Sequence, residues 1–227
     1  MLRGGDGPPG CVDGELVQQA VRDIGSRFAG ATQEGMSLIN LANFRAGLER
    51  GAPHWVEAAW IVCKVLFFLP PWPLPSALRR WLLRRFGGVV GGGTIIRSGV
   101  DIKFPWRLVV GDHVWLGEGV SILNLAPVTI GSHCCISQRA FLCTGSHDFR
   151  KESFDLIALP IRIEPGCWLA AQCFVGPGVN VGAESMICAQ TVVAGDVPAN
   201  SVVRGNPATT RRRSVEAPGS RSTEPGR

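Results

Sequence analysis

The 227-residue sequence has no C-x-x-C pair, no apolar run long enough to cross a bilayer, no recognisable secretory leader and only four histidines. Each absence removes a class of protein. Among the eight cysteines, Cys134, Cys143, Cys167, Cys173 and Cys188 fall at positions of a repeat that demand small side chains. They read as small hydrophobes in a reducing compartment rather than as disulfides or metal ligands. Residues 1–30 are polar and glycine-rich, without the basic start, apolar stretch and cleavage site of a signal peptide, so a cytoplasmic protein is expected. The most apolar stretch, Trp55 to Pro75, has a charge-free part of only about 11 residues and carries four prolines, whereas a membrane span needs about 20 apolar residues. The formal charge of +5 is modest and clustered in RRWLLRR at 79–85 and RRR at 211–213. No nucleic-acid motif accompanies it, which points to solvated faces and tails.

What is present divides into four regions. Residues 1–35 offer too little apolar surface to offset the entropy of ordering, and disorder is expected there. Residues 36–88 read as a helical, hydrophobic and basic segment. Leu38, Leu41, Phe44 and Leu48 lie near helical spacing, and in SALRRWLLRRFG the residues Leu78, Trp81, Leu82 and Phe86 share one face with four arginines elsewhere. A basic amphipathic helix bearing Trp and Phe is one signature of a protein lying on an anionic membrane surface. The other reading is a cap on the open end of a repeat domain, and the two are compatible. Residues 89–208 carry that repeat, and residues 209–227, charged and proline-rich, are expected to be a disordered tail.

The repeat is six residues long. Between 110 and 198 the chain cuts into twelve hexads, VGDHVW, LGEGVS, ILNLAP, IGSHCC, ISQRAF, LCTGSH, IEPGCW, LAAQCF, VGPGVN, VGAESM, ICAQTV and VAGDVP. The first residue is always Ile, Leu or Val, and the fifth is Ala, Cys, Ser, Thr or Val. Three such units make a triangular coil whose sides are short strands, with the aliphatic pointing inward and a small residue at the corner. This predicts an all-β fold, a left-handed parallel β-helix preceded by a short helical segment, an exception to the right-handed crossover rule. Four regular coils and an irregular first one begun by Ile96 and Ile102 would stack to roughly 24 Å at strand spacing. Gly111, Gly117, Gly131, Gly176 and Gly182 occupy second positions, where a tight turn is expected. Two interruptions break the pattern: Val128 and Thr129 bulge a corner after Asn124, and Asp148 to Arg162 follow His147. Insertions in a solenoid become loops on one face, the usual place for a binding site.

His147 closes a coil directly before the long insertion, and an imidazole is the natural base for deprotonating an alcohol near neutral pH. The stretch from IKFPWRLVVG through LCTGSHDF and on to CWLAAQCFVGPGVNVGAESMICAQTVVAGDVPANSVVRGNPA resembles the hexapeptide acyltransferases of the maltose, galactoside and nodulation-factor O-acetyltransferase group, above all the colanic-acid-type polysaccharide acetyltransferases. The resemblance covers roughly residues 55–208. It implies an acetyl-CoA-dependent O-acetyltransferase acting on a sugar hydroxyl in exopolysaccharide or cell-surface glycan biosynthesis, by direct transfer and without a metal. His147 would be the catalytic base. Asn124 and Asp148 would serve the acceptor side, Asn124 alternatively as a turn residue satisfying backbone. Trp168, Ala171, Ala189, Asn206 and Pro207 would line the acetyl-CoA groove. Ala171 stands where such enzymes often carry Ser, and Gly195 where many carry Lys; Arg204 or Arg211 to Arg213 could supply the charge. The resemblance also implies a homotrimer with sites between subunits, and a carbohydrate acceptor that is lipid-linked if the helical segment lies on the inner face of the cytoplasmic membrane. Other readings stay open: an N-acyltransferase or another acyl group, a zinc enzyme of the γ-carbonic anhydrase kind using His113 and His133, and a non-catalytic assembly subunit.

Overall fold

The computed structural model describes residues 39–44 and 47–212, so the disorder expected of 1–35 and of the chain's last residues lies outside the described part. The described chain groups into two units, a small one of 39–44 with 149–154 and a large one holding the remainder. In the small unit Leu41–Asn43 forms a 3-10 turn, capped by Asn40 Oδ1 accepting from the Ala42 N–H. Asn40 and Asn43 both donate to the Glu152 carboxylate, at 3.2 and 3.0 Å. Among the described residues, the stretch expected to run as a helix to Leu48 is helical only at the 3-10 turn Leu41–Asn43. Residues 47–50 are irregular, and Gly47 and Gly51 adopt left-handed φ values of 51° and 73° that end any helix.

The large unit is a three-sided prism. Its first face stacks β1 (Val89–Val90), β4 (Leu108–Val110), β7 (Val128–Ile130), β12 (Ile161–Ile163) and β15 (Asn180–Val181), all parallel. The second stacks β2 (Ile95–Ile96), β5 (Trp115–Leu116), β8 (Cys135–Ile136), β13 (Trp168–Leu169), β16 (Met186–Ile187) and β18 (Ser201–Arg204), and the third β3 (Asp101–Ile102), β6 (Ser121–Leu123), β9 (Phe141–Cys143), β14 (Phe174–Val175) and β17 (Val192–Val193). The result is the parallel, stacked-coil β-helix that the hexads predict. Register turns the first hexad position into continuous buried ladders, such as Ile96–Leu116–Ile136–Leu169–Ile187–Val203 inside the second face. Each such side chain contributes about 1.5–3 kcal/mol by burial.

Three details differ from expectation. The hexad LCTGSH is one by letter only: Ser146 is exposed while Thr144, fully buried, takes the corner, and the chain leaves the prism at Gly145. The second-position glycines are not where the chain turns; the left-handed residues are at the fourth position, among them His113, His133, Arg139, Gln172 and Gln190. Gly182 is required by crowding instead, since an added Cβ would lie 2.4 Å from the Ala199 nitrogen of the next coil. Finally, the chain past Pro198 adds β18 and then β19 (Thr209–Arg212), which pairs antiparallel with β18, so the predicted tail begins as a strand.

The first coil is capped by α1 (His54–Phe67) and α2 (Ser76–Arg85). Edge strands expose unpaired backbone groups, and here side chains satisfy them. Arg84 donates to the Val90 carbonyl, Arg80 to Thr94, Arg79 to Ile96, and Trp60 Nε1 to Ile102. Arg79 is buried and also donates to the carbonyls of Phe67, Leu74 and Trp72; burial, with Arg97 nearby, pushes its pKa down. Leu82 and Leu83 are buried beneath α2. The capping reading therefore describes α2 through Leu82, Leu83, Arg79, Arg80 and Arg84, while Trp81 and Arg85 stay exposed.

Candidate active site

The three corners of the prism receive the predicted residues unequally. Asn124, His147 and Asp148 belong to the third corner, between the third face and the first face of the next coil. Trp168 is on the second face, and Ala171, Ala189 and the Asn206–Pro207 turn follow one another up the second corner.

At the third corner the chain folds back on its own backbone. Asn124 is fully buried; its Oδ1 accepts from the Phe104 N–H at 2.9 Å, and its Nδ2 donates to the Phe104 carbonyl at 2.6 Å. This places Asn124 as a residue satisfying backbone, that of Phe104 one coil earlier, and leaves neither polar atom facing solvent. The root of the insertion is clamped by Thr144. Its hydroxyl donates to the Leu123 carbonyl at 2.8 Å and accepts from the Ala126 N–H at 3.0 Å, while its carbonyl accepts from Leu159 N–H at 2.9 Å. From that anchor β10 (Gly145–His147) pairs antiparallel with β11 (Leu156–Ala158), His147 lying opposite Leu156. The Asp148 N–H donates to the Asp155 carbonyl at 2.9 Å. A half-buried imidazole is thus held on a hairpin projecting from the prism.

The second corner is a column of small residues and amides. Gln190 N–H donates to the Ala171 carbonyl at 3.0 Å, and Gln190 Nε2 to Gln172 Oε1 at 3.0 Å, stacking the two alanine turns. Gly205 N–H donates to Thr191 Oγ1, which brings the Asn206–Pro207 turn onto the same column. Nearer the cap, Glu118, Gln138, Arg139, Ala171 and Gln172 line a groove of about 550 Å³. Sequence reasoning did not single out this polar column; the non-glycine residues at the fourth hexad position were the available signal. Trp168, 47% exposed, donates from Nε1 to Ser137 Oγ at 3.0 Å.

One chain does not unite these two groups. His147 follows the third face at its C-terminal end, whereas Ala171 and Ala189 precede that face at its N-terminal end, on a different corner. On the first corner His113 and His133 stack, with ring centroids 5.3 Å apart, but no group of three potential ligands among the described residues could hold a metal. Among the described cysteines, Cys63, Cys134, Cys143, Cys167 and Cys173 are buried fillers, and Cys135 and Cys188 are half-buried. The Cys134 thiol is raised by its hydrogen bond with Cys167 and by burial, and burial pushes Cys173 up to about 12. No helix of the described residues is long and apolar enough to cross a membrane.

Comparison with known proteins agrees with this architecture. The chain is 42% identical over 173 residues to the provisionally assigned colanic acid biosynthesis acetyltransferase WcaF of Escherichia coli (strain K12), spanning 75% of this chain and 93% of that protein. It is 27% identical over 133 residues to the galactoside O-acetyltransferase of the same organism, spanning 57% of this chain and 65% of that one. A hexapeptide-repeat acetyltransferase of Vibrio cholerae, solved with acetyl coenzyme A, has a TM-score of 0.61 at 29% identity, over 69% of this chain and 85% of that chain. No family model matches. With its stacked coils, inward aliphatic ladders and a relative matched over almost its whole length, the chain belongs to the hexapeptide-repeat acetyltransferases.

Proposed function

We propose that the chain transfers an acetyl group from acetyl-CoA to a sugar hydroxyl during exopolysaccharide or cell-surface glycan synthesis, with His147 as general base. The observation that carries this reading is the imidazole held on the hairpin rooted at Thr144, beside the corner where the coils change length. His147 takes the hydroxyl proton as the oxygen attacks the thioester carbonyl. Backbone N–H groups stabilise the oxyanion, the carbon–sulfur bond breaks, and the imidazolium returns its proton to the departing thiolate. Asp148 is suited to the acceptor side by adjacency, and Asn124 acts through the corner it braces.

Acetyl-CoA would lie along the second corner, its pantetheine arm against Ala171 and Ala189 and its nucleotide end near Asn206 and Pro207, with Trp168 as a wall. Because His147 sits on a different corner, a complete site needs a neighbouring chain, which supports a homotrimer. The second face suits that contact: its outward residues Ile95, Trp115, Cys135, Trp168, Met186 and Val202 form an apolar ladder along the whole prism. The acceptor we infer is lipid-linked, met at the cytoplasmic face of the membrane. The test is thiol release from acetyl-CoA in the presence of glycan acceptors. The His147→Ala variant should bind acetyl-CoA yet release no thiol above background, and undiminished turnover would overturn the assignment.

A further inference from the structure

Helix α1 carries its charges on the side away from water. Its charged residues are Glu57 and Lys64. Glu57 is buried and accepts from Arg50 at 2.6 Å, and Lys64 donates to Asp101 at 2.6 Å. The stripe of Trp55, Ala58, Val62, Val65, Leu66 and Leu69 recurs at three- and four-residue steps, is exposed, and bears no charge. Trp72 in the following loop and Trp81 on α2 extend it, and Trp55 is 73% exposed. A water-facing helix normally shows the reverse arrangement, so this stripe is built to be covered.

The surrounding charge says by what. Between residues 54 and 100 the sequence has one acid, the buried Glu57, against one lysine and five arginines. Arg85 is exposed beside the stripe, while the exposed Arg84 is tied to the Val90 carbonyl. Arg85 with Trp55, Val56, Ala59 and Phe86 lines an apolar slot of about 360 Å³ between the two helices. A second copy of the chain docking here face to face would set arginines against arginines. An anionic bilayer complements every part of the surface. Aliphatic side chains enter the boundary of headgroups and acyl chains, indole rings sit at headgroup depth, and guanidinium groups meet phosphate.

We propose that the outward face of the helical cap, centred on α1, docks the protein on an anionic phospholipid surface, with the Arg85 slot receiving a lipid chain beneath its phosphate. The docking surface is therefore centred on α1, and α2 adds only its exposed Trp81 and Arg85, since its Leu82 and Leu83 are buried against the prism. The inference rests on the proposed function only in its consequence, that a lipid-linked acceptor is met at this end of the molecule.

The test is flotation of the full chain with vesicles of phosphatidylcholine alone or mixed with phosphatidylglycerol. The unaltered protein should float with the anionic vesicles and at least about tenfold less with the neutral ones. The double variant Val62→Glu, Leu66→Glu changes only exposed positions and should lose flotation by tenfold or more; Arg85→Glu should weaken it severalfold on anionic vesicles alone. Acetyl-CoA turnover on a soluble glycan should be unaffected by either change, so loss of docking and loss of acetyl transfer are separately visible. Absence of flotation by the unaltered protein, equal flotation by the double variant, or a fall in oligomeric mass in place of lost flotation would each overturn the proposal.

Discussion

The third corner of the prism and the first corner are drawn from the same hexads and pack differently. On the first corner an added Cβ at Gly131 or Gly182 would lie 2.6 or 2.4 Å from a backbone nitrogen of the next coil. On the third, the nearest atom to a Cβ at Gly176 is 3.3 Å away, and at Gly195 nothing lies within 4 Å. Close stacking leaves no room for a side chain, still less a ligand. At Gly195 the third corner has room because β17 is the last strand of its face and no further coil lies over it, and after Thr144 the long insertion carries the chain out of the prism. Space thus arises where a coil is interrupted or has no successor; His147 and Gly195 lie at such places, whereas Asn124 on the same corner is buried.

The largest test of this contrast is His147→Ala. Removing a general base typically lowers turnover by about 10²–10⁴. Thermal unfolding should be almost unmoved, since the half-buried side chain projects from a hairpin and not from the core. A variant that unfolds would make this corner structural like the others. Asn124→Ala should do the opposite, lowering stability by about 2 kcal/mol in urea unfolding, because the buried Phe104 N–H would lose its acceptor and the Phe104 carbonyl would keep only the Arg107 N–H. Next comes the pair Gly182→Ala and Gly195→Ala. Crowding against backbone should cost the first about 2 kcal/mol, and the second should stay within about 0.5 kcal/mol of the unaltered chain. Equal effects would mean that the corners do not differ.

Much of this was legible in the sequence, and the failures have physical causes. An aliphatic every six residues locates the ladders because only an inward position repeats its chemistry in every coil. The hexad LCTGSH misleads because Ser146 meets the small-residue rule by type, whereas the corner is decided by which hydroxyl can bond backbone on both sides, and that is Thr144. The role of Asn124 depends on Phe104, twenty residues earlier, a pairing that register creates and local pattern does not show. Likewise the arginines of α2 look like a solvated basic face until the edge carbonyls of Val90, Thr94 and Ile96 are seen beneath them.

The smallest expected effect asks whether the open corner is open to a ligand as well as to a methyl group. Gly195 stands where resemblance to the sugar acetyltransferases leads one to expect lysine. Its φ is not in the left-handed region, and an added Cβ meets nothing within 4 Å, so Gly195→Lys should fold with unchanged stability. If acetyl-CoA phosphates of a neighbouring subunit's site pass this corner, the new ammonium should lower KM for acetyl-CoA by a few fold, a gain of about 1 kcal/mol or less for an exposed ion pair. The gain should fade with added salt and leave kcat alone. An unchanged KM would place the phosphates elsewhere, beside Arg204 at the end of β18, and would leave the third corner to the acceptor.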